Sequence, residues 1–245
     1  MLEVKGLCKS FGALRASDGI DFHVAEGETH ALIGPNGAGK TTFISQLAGD
    51  LRPDAGRIRF AGEDITALCA PKRARKGLAR SFQITSVYPG FTALENVALA
   101  VQARSGHSFR FWRDARSDPA LTEPARQVLE EVGLKERMTV LAGNLAHGEQ
   151  RQLEVAMAPA TRPRLLLLDE PMAGMGIDES QHMIGLLSSL KRRQTIVLVE
   201  HDMDAVFRLA DRIAVLVYGR VIADGAPESI RANPEVRAAY LGEGA

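Results

Sequence analysis

The sequence predicts an α/β fold with a mostly parallel sheet. Three runs in the second half of the chain, LLLLDE at 165–170, TIVLVEH at 195–201 and RIAVLVYG at 212–219, are apolar almost throughout. Such short, continuous runs are typical of strands buried on both faces of a parallel sheet. Helical segments at about 178–192 and 202–210 separate the runs, as expected for alternating strands and helices.

A further observation is the glycine-rich loop that follows the apolar run HALI, residues 30–33. The segment GPNGAGKTT, residues 34–42, fits the pattern G-x-x-x-x-G-K-[ST] of a phosphate-binding loop. Its glycines allow the tight bends that turn backbone N–H groups towards an anion. Lys40 supplies a positive charge for the β- and γ-phosphates, and the Thr41 hydroxyl is a ligand for Mg²⁺. The order of strand, loop and helix therefore predicts a site for a nucleoside triphosphate. Its expected binding residues are Gly34, Pro35, Asn36, Gly37, Ala38, Gly39, Lys40, Thr41 and Thr42.

The first 62 residues are mainly β, apart from the helix that follows the loop. Short alternating or apolar runs occur at LEVKGL, IDFHVA, THALIG and RIRFAG, and turns at EGE, PDAG and AGED separate them. We expect a short helix in the basic stretch at 71–76 and another strand in GLARSFQ at 77–83.

From about 84 to 162 the pattern changes to helix, which predicts a helical subdomain inserted into a single domain of residues 1–245. Thr92 and Glu95 form a capping-box pattern before ALENVALAVQA. The later helix GEQRQLEVAMAPAT contains Pro159, which removes a backbone N–H and is expected to kink that helix or end it early. The arginine- and aromatic-containing segment 104–118 suits either an interface with a partner or a loop packed on its own subdomain. A tail at about 227–245 is expected to hold short helices.

The composition excludes several classes of protein. With 245 residues, 45% of them hydrophobic, the chain can bury a substantial core and is not disordered. The formal net charge is zero, so a sequence-wide basic surface for nucleic acid is absent, whereas a local basic patch is compatible with this composition. Cys8 and Cys69 lack metal-ligand spacing and suit a reducing cytoplasm. Because we find no apolar run near the roughly 18–20 residues of a membrane span and no signal-peptide core, we expect a cytosolic chain.

Two neighbouring carboxylates follow the apolar run LLLL at 165–168. Asp169 and Glu170 would lie at the carboxyl edge of a strand, where open α/β sheets bind ligands. We expect Asp169 to hold Mg²⁺ through its water shell. Glu170 is suitably placed to act as general base on an attacking water, a role worth about 10²–10⁴-fold in rate.

With the loop, the Asp-Glu pair and the segment LAHGEQRQLEVAMA between them, the chain resembles an ATP-binding-cassette (ABC) ATPase over nearly its whole length. Within that family it is most similar to the ATPase subunits of bacterial branched-chain amino-acid importers. The matching segments are FQITSVYPGFTALENV, the Phe/Trp/Arg insert that follows it, DEPMAGMG and VRAAYLGE. The resemblance implies a P-loop NTPase fold with an antiparallel β subdomain, a mostly parallel core sheet and the inserted helical subdomain.

The resemblance also implies roles for single residues. Gln83 matches the glutamine that reaches Mg²⁺ and water and that senses a membrane partner. His201 matches the switch histidine that contacts the γ-phosphate, and Phe11 the aromatic residue that stacks on adenine. The implied catalytic residues are Glu170, His201, Gln83 and Lys40, and the implied Mg²⁺ ligands are Thr41, Gln83 and Asp169.

The segment at 145–149 matches the family signature, which usually has the sequence LSGGQ and faces the γ-phosphate held by a second subunit. Ala146, Gly148 and Glu149 are therefore expected to contact nucleotide. Ala146 replaces the usual serine, His147 a glycine and Glu149 a glutamine. The contact loop at 173–176, AGMG, lacks the usual aspartate.

As a mechanism, the resemblance implies two subunits, identical or paralogous, that close head-to-tail around two Mg–ATP and drive separate membrane permeases. A periplasmic or extracellular binding protein would take part indirectly, and the chain would sit peripherally on the cytoplasmic face of the inner membrane, without nucleic acid. Alternatives are related systems for urea, another amide, other amino acids or lipopolysaccharide export. A soluble nucleic-acid-associated ABC ATPase is disfavoured, because such proteins normally carry a long coiled coil or two cassettes.

Overall fold

The computed structural model describes residues 1–81, 87–105, 118–191 and 193–241. Its strands are, in chain order, β1 (Leu2–Phe11), β2 (Leu14–Val24), β3 (Thr29–Ile33), β4 (Ala55–Phe60), β5 (Glu63–Asp64), β6 (Leu78–Arg80), β7 (Leu165–Asp169), β8 (Thr195–Val199), β9 (Arg212–Val217) and β10 (Arg220–Gly225). Its α-helices are α1 (Lys40–Ala48), α2 (Ala70–Arg75), α3 (Ala93–Ser105), α4 (Pro119–Glu131), α5 (His147–Ala160), α6 (Ile177–Lys191), α7 (Met203–Leu209), α8 (Pro227–Ala232) and α9 (Pro234–Leu241).

The N-terminal strands form an antiparallel sheet in the order β2-β1-β4-β5. Its buried residues share one core with α1 and with part of the second sheet. Phe22 of β2 meets Phe43 of α1 edge to face, with 5.4 Å between the ring centroids. The antiparallel sheet therefore supports the helix that follows the glycine-rich loop.

The second sheet has the order β10-β9-β3-β8-β7-β6. Its strands from β9 to β6 run parallel, and β10 pairs antiparallel with β9. Every residue of β3, β7 and β8 is buried, because helices and the antiparallel sheet cover both faces. The predicted α/β class, with an antiparallel part beside a mostly parallel core sheet, is confirmed.

Helices α3, α4 and α5 follow β6 and precede β7, and they pack on one another through small and aliphatic side chains. The predicted capping box is present: the backbone N–H of Thr92 donates to Glu95 Oε2 at 2.8 Å, and that of Glu95 to Thr92 Oγ1 at 3.2 Å. Asp118 caps α4 by accepting from the backbone N–H of Ala120 at 3.0 Å.

Pro159 does not shorten its helix. Helix α5 continues through the proline and ends at Ala160, so the expected early end is wrong. The proline lies in the last turn, where the carbonyl of Pro159 accepts from the backbone N–H of Arg162 at 2.8 Å. The predicted strand at 77–83 is described as Leu78–Arg80. Most of the segment 104–118 lies outside the described residues. In the part of the chain that is described, no helix is both long enough and apolar enough to span a bilayer.

Candidate functional site

Three parallel strands end at the same edge of the core sheet. Leu32 of β3 and Asp169 of β7 both pair with Val199 of β8, so the strand ends are in register. The glycine-rich loop follows β3, Glu170 follows β7, and His201 lies two residues after the end of β8. Because the strands point the same way, their three following segments converge at the carboxyl edge of the sheet.

The glycine-rich loop is held in place by backbone contacts that exclude a side chain. A Cβ on Gly34 would clash with the carbonyl oxygen of Leu216, and a Cβ on Gly39 with that of Ala16. Gly39 also has φ 103°, in the left-handed region, where it precedes the first turn of α1. On the other side of the loop, the carbonyl of Ala38 accepts from the N–H of Gly219 at 2.9 Å. The loop is therefore fixed between β2 and the β9–β10 turn.

Lys40 is the first residue of α1 and points back into the loop. Its Nζ donates to the carbonyls of Gly34 at 2.6 Å and Pro35 at 3.0 Å. Burial lowers the pKa of this ammonium, while the charges of Glu170 and Asp169 oppose that shift. The amine is thus a buried cation within the curve of the loop, the placement that phosphate binding requires.

Asp169 ends β7, and its side chain is 1% exposed. One carboxylate oxygen, Oδ2, accepts from Arg80 Nη2 at 3.0 Å, whereas Oδ1 is buried without a hydrogen-bond partner among the described residues. Such a buried acceptor normally has a partner. A water in the shell of Mg²⁺ would provide one, so Asp169 fits the metal role given to it. Outside the undescribed segments, no group of three His, Cys, Asp or Glu residues could hold a metal by itself.

Glu170 has an unusual backbone conformation, with φ 48° in the left-handed region. For a residue other than glycine this costs on the order of 1–3 kcal/mol, and it persists only where neighbours fix it. Its N–H donates to the carbonyl of Val199 at 2.9 Å, and its carbonyl accepts from Arg151 Nη2 at 2.7 Å. Glu170, the general base expected from the sequence, therefore lies in a strained turn whose backbone is held by hydrogen bonds on both sides.

Glu200 lies directly after β8 at the same sheet edge, and sequence analysis did not identify it. Its carboxylate is 1% exposed and accepts from the backbone N–H of Met172 at 2.9 Å and of His201 at 3.2 Å. Burial raises the pKa of Glu200, and the nearby charge of Glu170 adds to that increase, although the two N–H donors oppose it. Glu200 thereby ties the segment after β7 to the segment after β8. The sequence feature that could have identified Glu200 is its position at the end of an apolar strand, directly before His201.

The remaining predicted residues are either exposed or outside the described residues. His201 is 65% exposed and Phe11, the last residue of β1, is 51% exposed, so both side chains are accessible. Lys9 Nζ lies 5.7 Å from the Phe11 ring centroid. Thr41 is exposed on the first turn of α1. Gln83 falls in 82–86, outside the described residues.

The signature segment starts α5 and packs against residues 174–179. Ala146 has no side-chain acceptor, and its own N–H instead donates to Glu149 Oε2 at 3.0 Å. Glu149 Oε1 accepts from Arg137 Nε at 2.7 Å, and this bond is the main reason why the pKa of Glu149 lies below its usual range. A Cβ on Gly148 would clash with the carboxylate of Glu179. Ala146 and Glu149, which depart from the usual signature, are thus bonded to each other, and Glu149 is also bonded to Arg137.

A phosphate-binding loop after one parallel strand and a buried aspartate at the end of another define a P-loop nucleoside triphosphatase. The family model described as "ABC transporter" matches residues 17–173, and the chain belongs to this family. A second model, "Branched-chain amino acid ATP-binding cassette transporter", matches residues 220–245. As a family member, the chain binds and hydrolyses ATP and works with the membrane permease of a transporter.

Curated relatives match the chain nearly end to end. It is 43% identical to the high-affinity branched-chain amino acid transport ATP-binding protein BraF of Pseudomonas aeruginosa, with 99% of this chain and 98% of the relative covered. It is 38% identical to the protein LivG of Escherichia coli, which carries the same description, with the same coverage. Both identities support the resemblance drawn from the motifs.

Solved structures agree with the fold. A nucleotide-free ATP-binding cassette from an ABC transporter has a TM-score of 0.86 and 27% identity, with 99% of both chains covered. The ADP conformation of an ATP-binding cassette of an ABC transporter has a TM-score of 0.87 and 29% identity, with 99% of this chain and 98% of the other covered. The predicted family and ABC ATPase fold are therefore confirmed.

Proposed function

We propose that this chain is the ATPase subunit of an importer for branched-chain amino acids. The relatives described above carry that function in their names, and the C-terminal family model has the same description. The structural observation that carries the ATPase part is the convergence of the loop, Asp169, Glu170 and His201 at one sheet edge.

In the proposed reaction, the residues of the loop at 34–42 bind the phosphates of ATP through backbone N–H groups, and Lys40 neutralises the β- and γ-phosphates. The Thr41 hydroxyl, Gln83 and Asp169 would hold Mg²⁺, with Asp169 acting through a water. When bound, Mg²⁺ neutralises the charge that develops on the β- and γ-phosphate oxygens.

Glu170 takes a proton from the attacking water, whose oxygen forms a bond to the γ-phosphorus. The bond from that phosphorus to the β–γ bridging oxygen breaks, and its electron pair leaves with ADP. His201 contacts the γ-phosphate, and Phe11 stacks on the adenine ring. The fixed backbone of Glu170 suits this role, because general-base catalysis depends on geometry before pKa.

Ala146, Gly148 and Glu149 complete the site of a second chain, in a head-to-tail dimer with an identical or paralogous subunit. ATP favours closure because it makes contacts with both chains only in the closed state. Hydrolysis removes the γ-phosphate that bridges them and lets the dimer reopen. The chain would act at the cytoplasmic face of the inner membrane, with a binding protein on the far side.

A surface formed by Tyr88, Phe91 and Leu141 suits contact with the permease. Tyr88, Phe91 and Leu141 are exposed there, and the Tyr88 and Phe91 rings lie 5.6 Å apart between centroids. Leu141 is adjacent, because Thr92 and Leu141 form an isolated β-bridge. Exposed apolar side chains grouped in this way are typical of a protein-binding surface. Movement of the permease at this surface would act on residues that closely follow Gln83 in the sequence.

The first test is Glu170→Gln. Turnover should fall by at least about 10²-fold, because the base is lost while the phosphate site is intact. ATP binding should persist, and light scattering should detect an ATP-dependent dimer. Glu228→Gln, an exposed position on α8, is the matched control and should behave as wild type. Normal turnover of Glu170→Gln would remove Glu170 from the base role.

The second test identifies the transported solute. The chain is reconstituted in proteoliposomes with the permease and binding protein encoded beside it, and uptake of labelled leucine, isoleucine and valine is measured. ATP-dependent uptake of these amino acids supports the proposal. Uptake of urea alone, or ATP turnover stimulated by lipopolysaccharide or by DNA, would assign one of the alternative functions instead.

A further inference from the structure

Helix α5 carries a buried ion pair whose arginine reaches out of the helix. Arg151 and Glu154 side chains are 5% and 4% exposed, and Arg151 Nη1 donates to Glu154 Oε2 at 2.6 Å. The same guanidinium donates through Nη2 to the carbonyl of Glu170 at 2.7 Å and through Nε to the carbonyl of Pro171 at 3.2 Å. One side chain of α5 therefore holds two consecutive carbonyls of the turn after β7.

A buried ion pair is weak evidence for stability, because removing two charges from water offsets much of their attraction. The Arg151–Glu154 pair has a second role besides charge compensation. The planar guanidinium presents donors in several directions, and here they fix both a carboxylate and the backbone of a turn. That turn contains Glu170 with φ 48°, a conformation that needs neighbours to maintain it.

We propose that Arg151, oriented by Glu154, is the positioning residue that holds the Glu170–Pro171 turn in its left-handed conformation and so aims the Glu170 carboxylate at the attacking water. This inference rests on the proposed function, in which Glu170 is the general base. Glu154 acts through Arg151, because its Oε2 accepts from Arg151 Nη1 and so sets the direction of the guanidinium.

The geometry has a further consequence for the two sites of a dimer. Arg151 lies two residues after Glu149 on the helix that begins with the signature segment. In the closed dimer, that segment contacts the nucleotide of the opposite chain. A shift of α5 on closure therefore moves the carbonyl of Glu170 in the same chain through a single side chain. The Arg151–Glu154 pair thus couples two events. The signature segment contacts the nucleotide of the opposite chain, and the general base Glu170 is aligned at the nucleotide of its own chain.

The experiment replaces the pair without leaving a buried charge. In Arg151→Met/Glu154→Leu, apolar side chains of similar size fill the same space, a change that is often neutral for stability. We expect kcat to fall about 10- to 100-fold, the cost of a misplaced catalytic group. ATP affinity and KM should be unchanged, because the pair acts on the turn after β7, whereas the loop at 34–42 binds the phosphates. Arg151→Lys, which keeps the charge but not the fork of donors, should give an intermediate kcat.

A double-mutant cycle separates positioning from general damage. In the Glu170→Gln background, removing the pair should not lower the residual rate further, because the group that it aims is already absent. If the pair only stabilises the fold, its removal should lower the rate by the same factor in the wild-type and Glu170→Gln backgrounds.

Several results would overturn the proposal. One is wild-type kcat in Arg151→Met/Glu154→Leu alongside slow turnover of Glu170→Gln; this rejects the positioning role and leaves the proposed function intact. Another is loss of ATP binding in the double variant. If that variant does not fold, wild-type kcat in Arg151→Lys overturns the inference in its place. Normal turnover of Glu170→Gln would reject both the base assignment and this inference.

Discussion

Arg137 Nε donates a 2.7 Å hydrogen bond to Glu149 Oε1, and this bond compensates the charge at the position where the family signature usually has glutamine. The second oxygen of Glu149 accepts from the N–H of Ala146 at 3.0 Å. Glu149 thus takes over a capping contact at the start of α5, where Ala146 provides no side-chain oxygen. The substituted segment is internally consistent, which supports divergence of the signature rather than loss of function.

This pairing predicts a compensating pair of substitutions. In the Glu170→Gln background, Arg137→Ala should weaken ATP-dependent dimerisation roughly fivefold, because an uncompensated carboxylate would face a triphosphate across the interface. Arg137→Ala/Glu149→Gln should restore dimerisation, since the amide carries no charge. Light scattering at a series of ATP concentrations measures both. Equal weakening in the single and double variants would show that Arg137 acts in some other way than by compensating Glu149.

Two glycines of the loop provide a matched comparison. Gly39→Ala should abolish tight ATP binding and destabilise the fold, because its Cβ would clash with the carbonyl of Ala16 in addition to the left-handed φ. At Gly37, with φ 77°, no atom lies within 4 Å of the added Cβ. Gly37→Ala should therefore cost only the backbone strain of about 1–2 kcal/mol. Thermal unfolding and nucleotide titration of both variants test the difference, and equal losses would contradict it.

The motif residues of the site were predictable from sequence, whereas the contacts between residues far apart in the sequence were not. The loop at 34–42 and the Asp169–Glu170 pair follow apolar strands directly, so the local sequence pattern is enough to place them at strand ends. Arg80 and Asp169 are 89 residues apart, and Arg151 and Glu170 are 19 residues apart. For an arginine on a short strand or on a helix, the local sequence does not show whether its side chain bonds a buried partner or is exposed to solvent. Only packing of β6 and α5 against β7 creates these contacts.

The Arg80–Asp169 ion pair predicts an altered response to Mg²⁺. Arg80 also donates to Asp50 Oδ2 at 2.7 Å and to Ser45 Oγ at 3.2 Å, so it ties β7 to α1 and to the residues that follow that helix. Arg80→Met removes the counter-charge that is hydrogen-bonded to the buried carboxylate of Asp169. Breaking such a pair costs about 3 kcal/mol, or about 6–12 °C in Tm for a domain of this size.

Mg²⁺ would then replace part of the lost positive charge. The increase in Tm on adding Mg–ATP, relative to ATP with a chelator, should therefore be larger in Arg80→Met than in wild type. Arg80→Lys keeps the charge and serves as the control, with a response close to wild type. An identical Mg²⁺-dependent increase in all three proteins would show that Arg80 does not influence the metal site through Asp169.

Glu200 predicts a pH dependence of stability with a defined sign. Burial raises its pKa above the ordinary value of 4.5, so the folded protein favours the protonated carboxyl more than the unfolded chain does. The stabilisation from this group is full below about pH 4.5 and is lost as pH rises through the raised pKa.

Glu200→Gln cannot ionise, so its stability does not fall for this reason as pH rises. Its free energy of unfolding, relative to wild type, should therefore increase as pH rises through that window. Urea unfolding of both proteins from about pH 4 to pH 8 measures the difference, with Glu228→Gln as the exposed control. A difference that is constant with pH, or that decreases as pH rises, would mean that the hydrogen bonds from Met172 and His201 outweigh burial and keep Glu200 ionised.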